Sequence, residues 1–181
     1  MAFNLTDFKG RLTGEGARPT LFDVSISAPS YAATDSQGKI EFTCRAAQLP
    51  GKTFGVIEVP YFGRKIKVAG DQTFAEWTVT VINDEDFTTR NAFEKWMSGI
   101  NKHVGNVRSD INYKQGYATV TQYTKDGNIA DFGNATYNFI GIFPADLGAI
   151  DVAWDTNDSL EEYTVTLQYD WWEKVDTTDR S

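Results

Sequence analysis

Cysteine and histidine are almost missing: the 181 residues contain one of each, Cys44 and His103. A single cysteine excludes an internal disulfide framework. A single histidine without companion cysteines is a poor basis for a zinc centre or a nucleophilic triad. Positive charge is also scarce. Lys and Arg number 17 against 25 Asp and Glu, a formal net charge of -8. That deficit excludes a surface built to grip nucleic-acid phosphate, but not one past which nucleic acid slides. No apolar run approaches the ~18 residues that cross a membrane as a helix. The opening MAFNLTDFKGRLTGEGARP lacks the basic start and apolar stretch of a secretory signal. The expectation is a soluble chain made in the cytosol, without a membrane anchor. The GxxxxGK[ST], GxSxG and HExxH patterns are missing too, so no catalytic residue, cofactor or metal is expected.

What is abundant is aromatic: five Trp, eight Tyr and twelve Phe make up 14% of the chain. Such rings favour pleated, half-buried surfaces. Strand alternation dominates. Phe22, Val24 and Ile26 alternate with Asp23 and Ser25, and Ile40, Phe42 and Cys44 with Glu41 and Thr43. Trp77, Val79 and Val81 alternate with Thr78 and Thr80, and Tyr163, Val165, Leu167 and Tyr169 with polar neighbours. Period two places one face on a core and the other on solvent or a partner. Tyr117–Tyr123 followed by Asp126-Gly127 reads as half of a hairpin, and Gln37-Gly38 and Gly70 mark further turns. One segment, Asp84–Asn101, has helical spacing at Phe93, Trp96, Met97 and Ile100. Asp84, Glu85 and Asp86 are expected to cap its start, and Lys102 and His103 follow its end. The fold expected is mainly β: an antiparallel β-sandwich or barrel of eight to ten strands with one packed helix. Residues 1–16 read as an N-terminal arm, 17–173 as the β domain and 174–181 as a C-terminal tail.

The segment Gly51–Asp71 is unusual. Strand-forming ends flank a Pro-Tyr-Phe-Gly centre, and Arg64, Lys65 and Lys67 follow closely. A short apolar-to-basic ribbon on an acidic chain suits docking onto an acidic surface, of which another copy is the nearest source. An ordinary solvated hairpin accounts for the same pattern equally well. Other candidates have plainer readings. Cys44 is a strand residue with a buried, inert thiol. DTNDSLEE (Asp155–Glu162) fails as a calcium loop because Leu160 stands where glycine is needed. Trp77 and Trp154 sit in strand-like segments and read as structural. Trp171 and Trp172 cannot both point inward on one strand, so at least one ring faces a partner or a second layer.

Four segments resemble the tail tube protein of contractile-tailed bacteriophages. They are ARPTLFDVSIS (Ala17–Ser27), FTCRAAQLPG (Phe42–Gly51), VPYFGRKIKVAGDQTFAEWTVTVINDEDFTTRNAFEKW (Val59–Trp96) and FPADLGAIDVAWDTNDSLEEYTVTLQYDWWE (Phe143–Glu173). The long central block is the most specific. Residues 28–39 and 101–116 depart from the pattern as loops of variable length.

The resemblance implies a subunit related in fold to the type VI secretion tube protein. Six copies would close into a ring with one continuous inner β-barrel, and rings would stack helically into a hollow tube. The tail sheath protein would lie outside and the baseplate tube initiator below. DNA and the tape-measure protein would occupy the lumen without sequence-specific binding. Assembly would take place in the host bacterial cytoplasm. Tyr61, Phe62, Arg64, Lys65 and Lys67 are the expected subunit and inter-ring contacts, with Phe8 in the arm. A baseplate initiator ring and the tube of a phage-derived injection device are variants of this reading. A monomeric carbohydrate-binding β-sandwich, with a groove lined by Trp171 or Trp172, is the alternative from another class.

Overall fold

The computed structural model describes residues 5–11, 16–32, 43–108, 112–125, 135–155 and 159–175. The turns expected at Gln37-Gly38 and Asp126-Gly127, and the alternation at Ile40 and Phe42, lie outside these. Nine strands and two helices are described: α1 (Leu5–Arg11), β1 (Phe22–Ser27), β2 (Cys44–Ala47), β3 (Lys52–Tyr61), β4 (Arg64–Phe74), β5 (Trp77–Ile82), α2 (Thr88–Ile100), β6 (Gly116–Gln122), β7 (Thr136–Leu147), β8 (Glu162–Gln168) and β9 (Trp171–Lys174).

All strand pairs are antiparallel. Seven strands form one hydrogen-bonded path, β1-β6-β7-β8-β5-β2, with β9 added to β7. Among the described residues this path is open, with β1 and β2 at its ends. The described residues of one subunit do not by themselves close a barrel. β7 turns the sheet back on itself: Thr136–Ile142 pairs with β6, and Phe143–Leu147 with β8. At the corner Gly141 takes φ 70°, and an added Cβ would lie 2.4 Å from the Asp170 carboxylate. Only glycine suits both that conformation and that approach.

The two halves face each other across the core. Val24 and Ile26, Ala118 and Val120, and Phe139 and Ile142 from one side meet Trp77, Val79, Val81, Val165 and Leu167 from the other. The Trp77 and Phe139 rings stack at 4.3 Å. Each fully buried side chain of this size contributes about 1.5–3 kcal/mol. The alternation read at β1, β5 and β8 thus marks the inward rows. The outward rows carry short hydroxyls and amides, with Thr119 donating to Asn138 at 3.0 Å and Thr78 and Thr80 opposite Thr166 and Thr164.

α2 packs its Phe93 and Trp96 into this core. The Trp96 indole N–H donates to the Tyr113 carbonyl at 2.9 Å, and Gly116 leaves room for its ring. The three acids do not lie in the first turn as expected. They form the preceding turn, with Phe87 at φ 52° as N-cap residue, and Asp86 accepts the free Thr88 N–H at 3.1 Å. That capping bond comes from two residues before the helix. α1 corrects the expectation of a single helix. Its seven residues include Gly10 and show no apolar stripe, so periodicity did not mark it.

Candidate functional site

β3 and β4 form a separate two-stranded hairpin that leaves the body of the subunit. Its base is anchored. The Trp172 indole donates to the Gly51 carbonyl at 3.2 Å, Lys52 lies over the Trp172 ring at 5.3 Å, and Phe74 meets Tyr169 at 6.0 Å. From there every β3 residue is exposed. A two-residue turn, Phe62-Gly63 at φ 39° and 80°, joins the strands. Both values lie in the left-handed region, the geometry whose twist fits a tight hairpin.

Register gives the hairpin two unlike faces, because directly opposed residues share a face. Ile57 opposes Val68, Val59 opposes Ile66, and Tyr61 opposes Arg64, which makes an apolar face with one cation at its tip. Glu58 opposes Lys67 and Pro60 opposes Lys65 on the other, basic face, where Lys65 donates to Glu58 at 2.7 Å. The apolar side chains Ile57, Val59, Ile66 and Val68 are 46–55% exposed. Phe62 combines 91% exposure with a left-handed backbone. An aromatic residue there carries strain of about 1–2 kcal/mol, and the Tyr61 ring lies beside it, edge-on at 4.7 Å.

Five of the six expected contact residues are thus brought together on one element: Tyr61, Phe62, Arg64, Lys65 and Lys67. Tyr61 and Arg64 share the apolar face, whereas Lys65 and Lys67 lie on the other. Phe8 is exposed on a different element, α1. The paired tryptophans divide as period two requires. Trp172 packs partly into the core beside Tyr137, and Trp171 is 47% exposed on the opposite side.

Trp154 corrects the sequence reading. It is fully exposed, as are the neighbouring Val152 and Leu160 to a large extent, in the connection between β7 and β8. These exposed apolar residues were misread because Ile150, Val152 and Trp154 alternate with Asp151, Ala153 and Asp155, a strand-like period that continues past the end of β7. The visible signal was three large apolar residues scattered among aspartates. Arg90 of α2 fastens the start of that connection. It donates to the Gly148 carbonyl and to Glu94, both at 3.1 Å, and lies over the Tyr163 ring.

The titratable residues singled out above do not assemble a reactive centre. Cys44 is half-buried, and burial pushes its thiol up to about 11, so it is a poor nucleophile at neutral pH. His103 is exposed in the turn after α2. Among the described residues there is no cluster of three potential metal ligands and no helix long and apolar enough to cross a membrane.

Residues 17–175 match the family model for the phage tail tube protein. The chain belongs to the phage tail tube family. The tail tube protein gp19 of Enterobacteria phage T4 is 37% identical to it over 164 residues, covering 89% of this chain and 93% of that protein. Two solved assemblies contain chains of the same fold. One is the baseplate of the anti-feeding prophage (TM-score 0.59, 10% identity, 87% of this chain and 93% of that one). The other is the sheath-tube complex of an extracellular contractile injection system (TM-score 0.57, 14% identity, 96% and 100%). This tail tube protein is thereby a structural subunit of a contractile tail. It belongs to a family without known catalysis.

Proposed function

We propose that six copies of this tail tube protein close into a ring whose inner strands form one continuous β-barrel. Rings then stack into the hollow tube that delivers the genome. The observation that carries this reading is the exposed hairpin. Its apolar face and strained aromatic tip are costly in a free subunit and find their use only against another chain. Tyr61, Phe62, Arg64, Lys65 and Lys67 are its contact residues, with Phe8 of the arm as an accessory. The open path supports the ring, since an annular arrangement pairs edges that otherwise invite aggregation. Residues 1–16 act as an arm, 17–173 as the ring-forming domain and 174–181 as a tail. The sheath lies outside, and the baseplate initiator nucleates the first ring in the host cytoplasm.

DNA and the tape-measure protein pass through the bore without sequence-specific contact. Each copy contributes a net charge of -8, and a large field of one sign repels phosphate from the wall. The hydroxyl-rich outward rows favour the same outcome, for they offer little for a base or phosphate to hold. Within them Arg45 is already ion-paired with Glu162.

The test is charge reversal on the hairpin. Arg64→Glu with Lys65→Glu changes the subunit melt little, because both side chains are exposed and the exposed Lys65–Glu58 pair it removes is worth no more than about 1 kcal/mol, and it shortens or abolishes tubes seen by negative-stain microscopy. Tubes of normal length would overturn the role given to the hairpin. Growth beyond one ring separates a tube subunit from an initiator.

A further inference from the structure

We infer that the turn 102–108 after α2, through Val104 with Lys102 and Arg108, docks on the segment 151–155 of a second copy of this chain, through Trp154 with Asp151 and Asp155. The proposal rests on the tube reading and adds to it a contact in which the β3–β4 hairpin takes no part.

Two observations carry it. The first is complementarity between two surfaces that stay apart within one subunit. Residues 101–108 hold Lys102 and Arg108 and no acid, on a chain with an excess of acids. The turn is fastened from within. The Asn106 N–H donates to the Lys102 carbonyl at 2.9 Å, the Asn101 side-chain amide donates to the Asn106 side chain at 2.9 Å, and Asn106 takes φ 46°. Val104 is thereby presented fully exposed. Residues 148–155 hold Asp151 and Asp155 and no cation, beside the fully exposed Trp154 and the largely exposed Val152. Full exposure of both Val104 and Trp154 means that neither covers the other in the same copy. A basic-apolar surface and an acidic-apolar one satisfy each other, and each repels its own kind. Order already built into the turn lowers the entropy lost on docking.

The second observation is position. The segment 151–155 springs from the start of α2, where Arg90 donates to the Gly148 carbonyl at 3.1 Å. The far end of the β7–β8 connection is held on the same side, by the Asn83 N–H donating to the Glu161 carbonyl at 2.8 Å just ahead of the helix. The basic turn leaves the other end of α2, where the Asn101 N–H donates to the Met97 carbonyl at 3.2 Å. A helix of 13 residues lies between them, roughly 20 Å long. Unlike surfaces at opposite ends of one rigid element make a heterologous, head-to-tail contact, the kind that a ring or a stack of identical copies repeats. The chain thus supplies both halves of the contact, which favours a further copy over a chain of another kind. The contact also gives Trp154 a purpose, for a fully exposed indole with its apolar body and single N–H donor is a typical anchor of an interface.

The experiment is cross-linking in assembled tubes. Val104→Cys and Val152→Cys, which leave the Trp154 ring in place, are combined in a Cys44→Ala chain. This chain is assembled on preformed baseplates without sheath protein and treated with a short bis-maleimide. The expected result is a ladder of covalent multimers beyond the dimer on denaturing gels, which neither single variant produces. Tubes that form without a ladder overturn the proposal. Charge exchange guards against a double-cysteine chain that does not assemble. Asp151→Lys with Asp155→Lys should lower tube yield by about ten-fold, and adding Lys102→Glu with Arg108→Glu in the same chain should restore it. An undiminished yield for the lysine variant, or a failure of restoration, also overturns the contact. Restoration that requires added sheath protein overturns it in favour of a sheath contact. The wild-type control separates the two levels: wild-type chains that form no tubes on baseplates sink the tube reading itself, whereas wild-type tubes beside ladder-free tubes of the double-cysteine chain sink this contact alone.

Discussion

Replacing Trp96 by alanine tests whether α2 is a structural part of the core or an ornament on it. The side chain is fully buried, stacked beside Phe93 at 6.5 Å, and its N–H is bonded to the Tyr113 carbonyl. Truncating a buried Trp costs about 3–5 kcal/mol from lost transfer energy and cavity. The Tyr113 carbonyl, left without its donor, adds about 1 kcal/mol or more. The sum is a large fraction of the ~5–15 kcal/mol that holds a domain together. The space around the ring is tight. A Cβ on Gly116 would stand 2.4 Å from the indole edge, so Gly116→Ala overpacks the same spot by about 1–3 kcal/mol. The two losses are not additive, because alanine at 116 fills part of the cavity left at 96. The assay is urea denaturation of the subunit at concentrations too low for assembly, since association would otherwise inflate stability. A loss under about 1.5 kcal/mol for Trp96→Ala, or strict additivity with Gly116→Ala, would refute the packing described.

Phe62→Asn should separate stability from assembly. Asparagine tolerates the left-handed turn, so the subunit melts at the same or a slightly higher temperature, while tube yield falls; unchanged yield would remove the tip from the contact. Cys44 should resist a thiol reagent at pH 8 in the folded subunit and react rapidly once it is unfolded. Its folded pKa is raised from 9.0 to about 11, so the unfolded chain loses the proton first. Stability from this group is full below pH 9 and declines as pH rises from about 9 to about 11. A denaturant midpoint that rises in that window because of Cys44, judged against Cys44→Ala, would contradict the sign. Trp171→Ala should leave the subunit melt nearly unchanged, in contrast to Trp172→Ala, whose ring packs against Tyr137 and bonds to Gly51. Equal losses would mean that the two rings do not face opposite ways.

Much of the body was legible because alternation and burial are the same fact seen twice. Val24, Val79, Val81, Val165 and Leu167 stand at the inward positions their spacing announces. The amphipathic stripe at Phe93 and Trp96 located α2, and the apolar-basic run located the hairpin. The start of α2 was set too early, since Asp84–Asp86 look like first-turn acids but are held in a turn closed by Phe87. That turn depends on a left-handed backbone at an aromatic residue, which propensity does not suggest. Trp154 was misplaced for a related reason. An indole in a strand-like stretch reads as core, and only the register of β7 against β8 shows that the chain has already left the sheet at Leu147. The hairpin stood out through charge on an acidic chain, and the connection became visible only once exposure was known.

The central claim is self-assembly into a tube, and electron microscopy of the purified tail tube protein with preformed baseplates tests it most directly. Hollow tubes longer than one ring, with six subunits per ring, are the predicted result. Single 20.2 kDa subunits at every concentration, baseplates included, would contradict it.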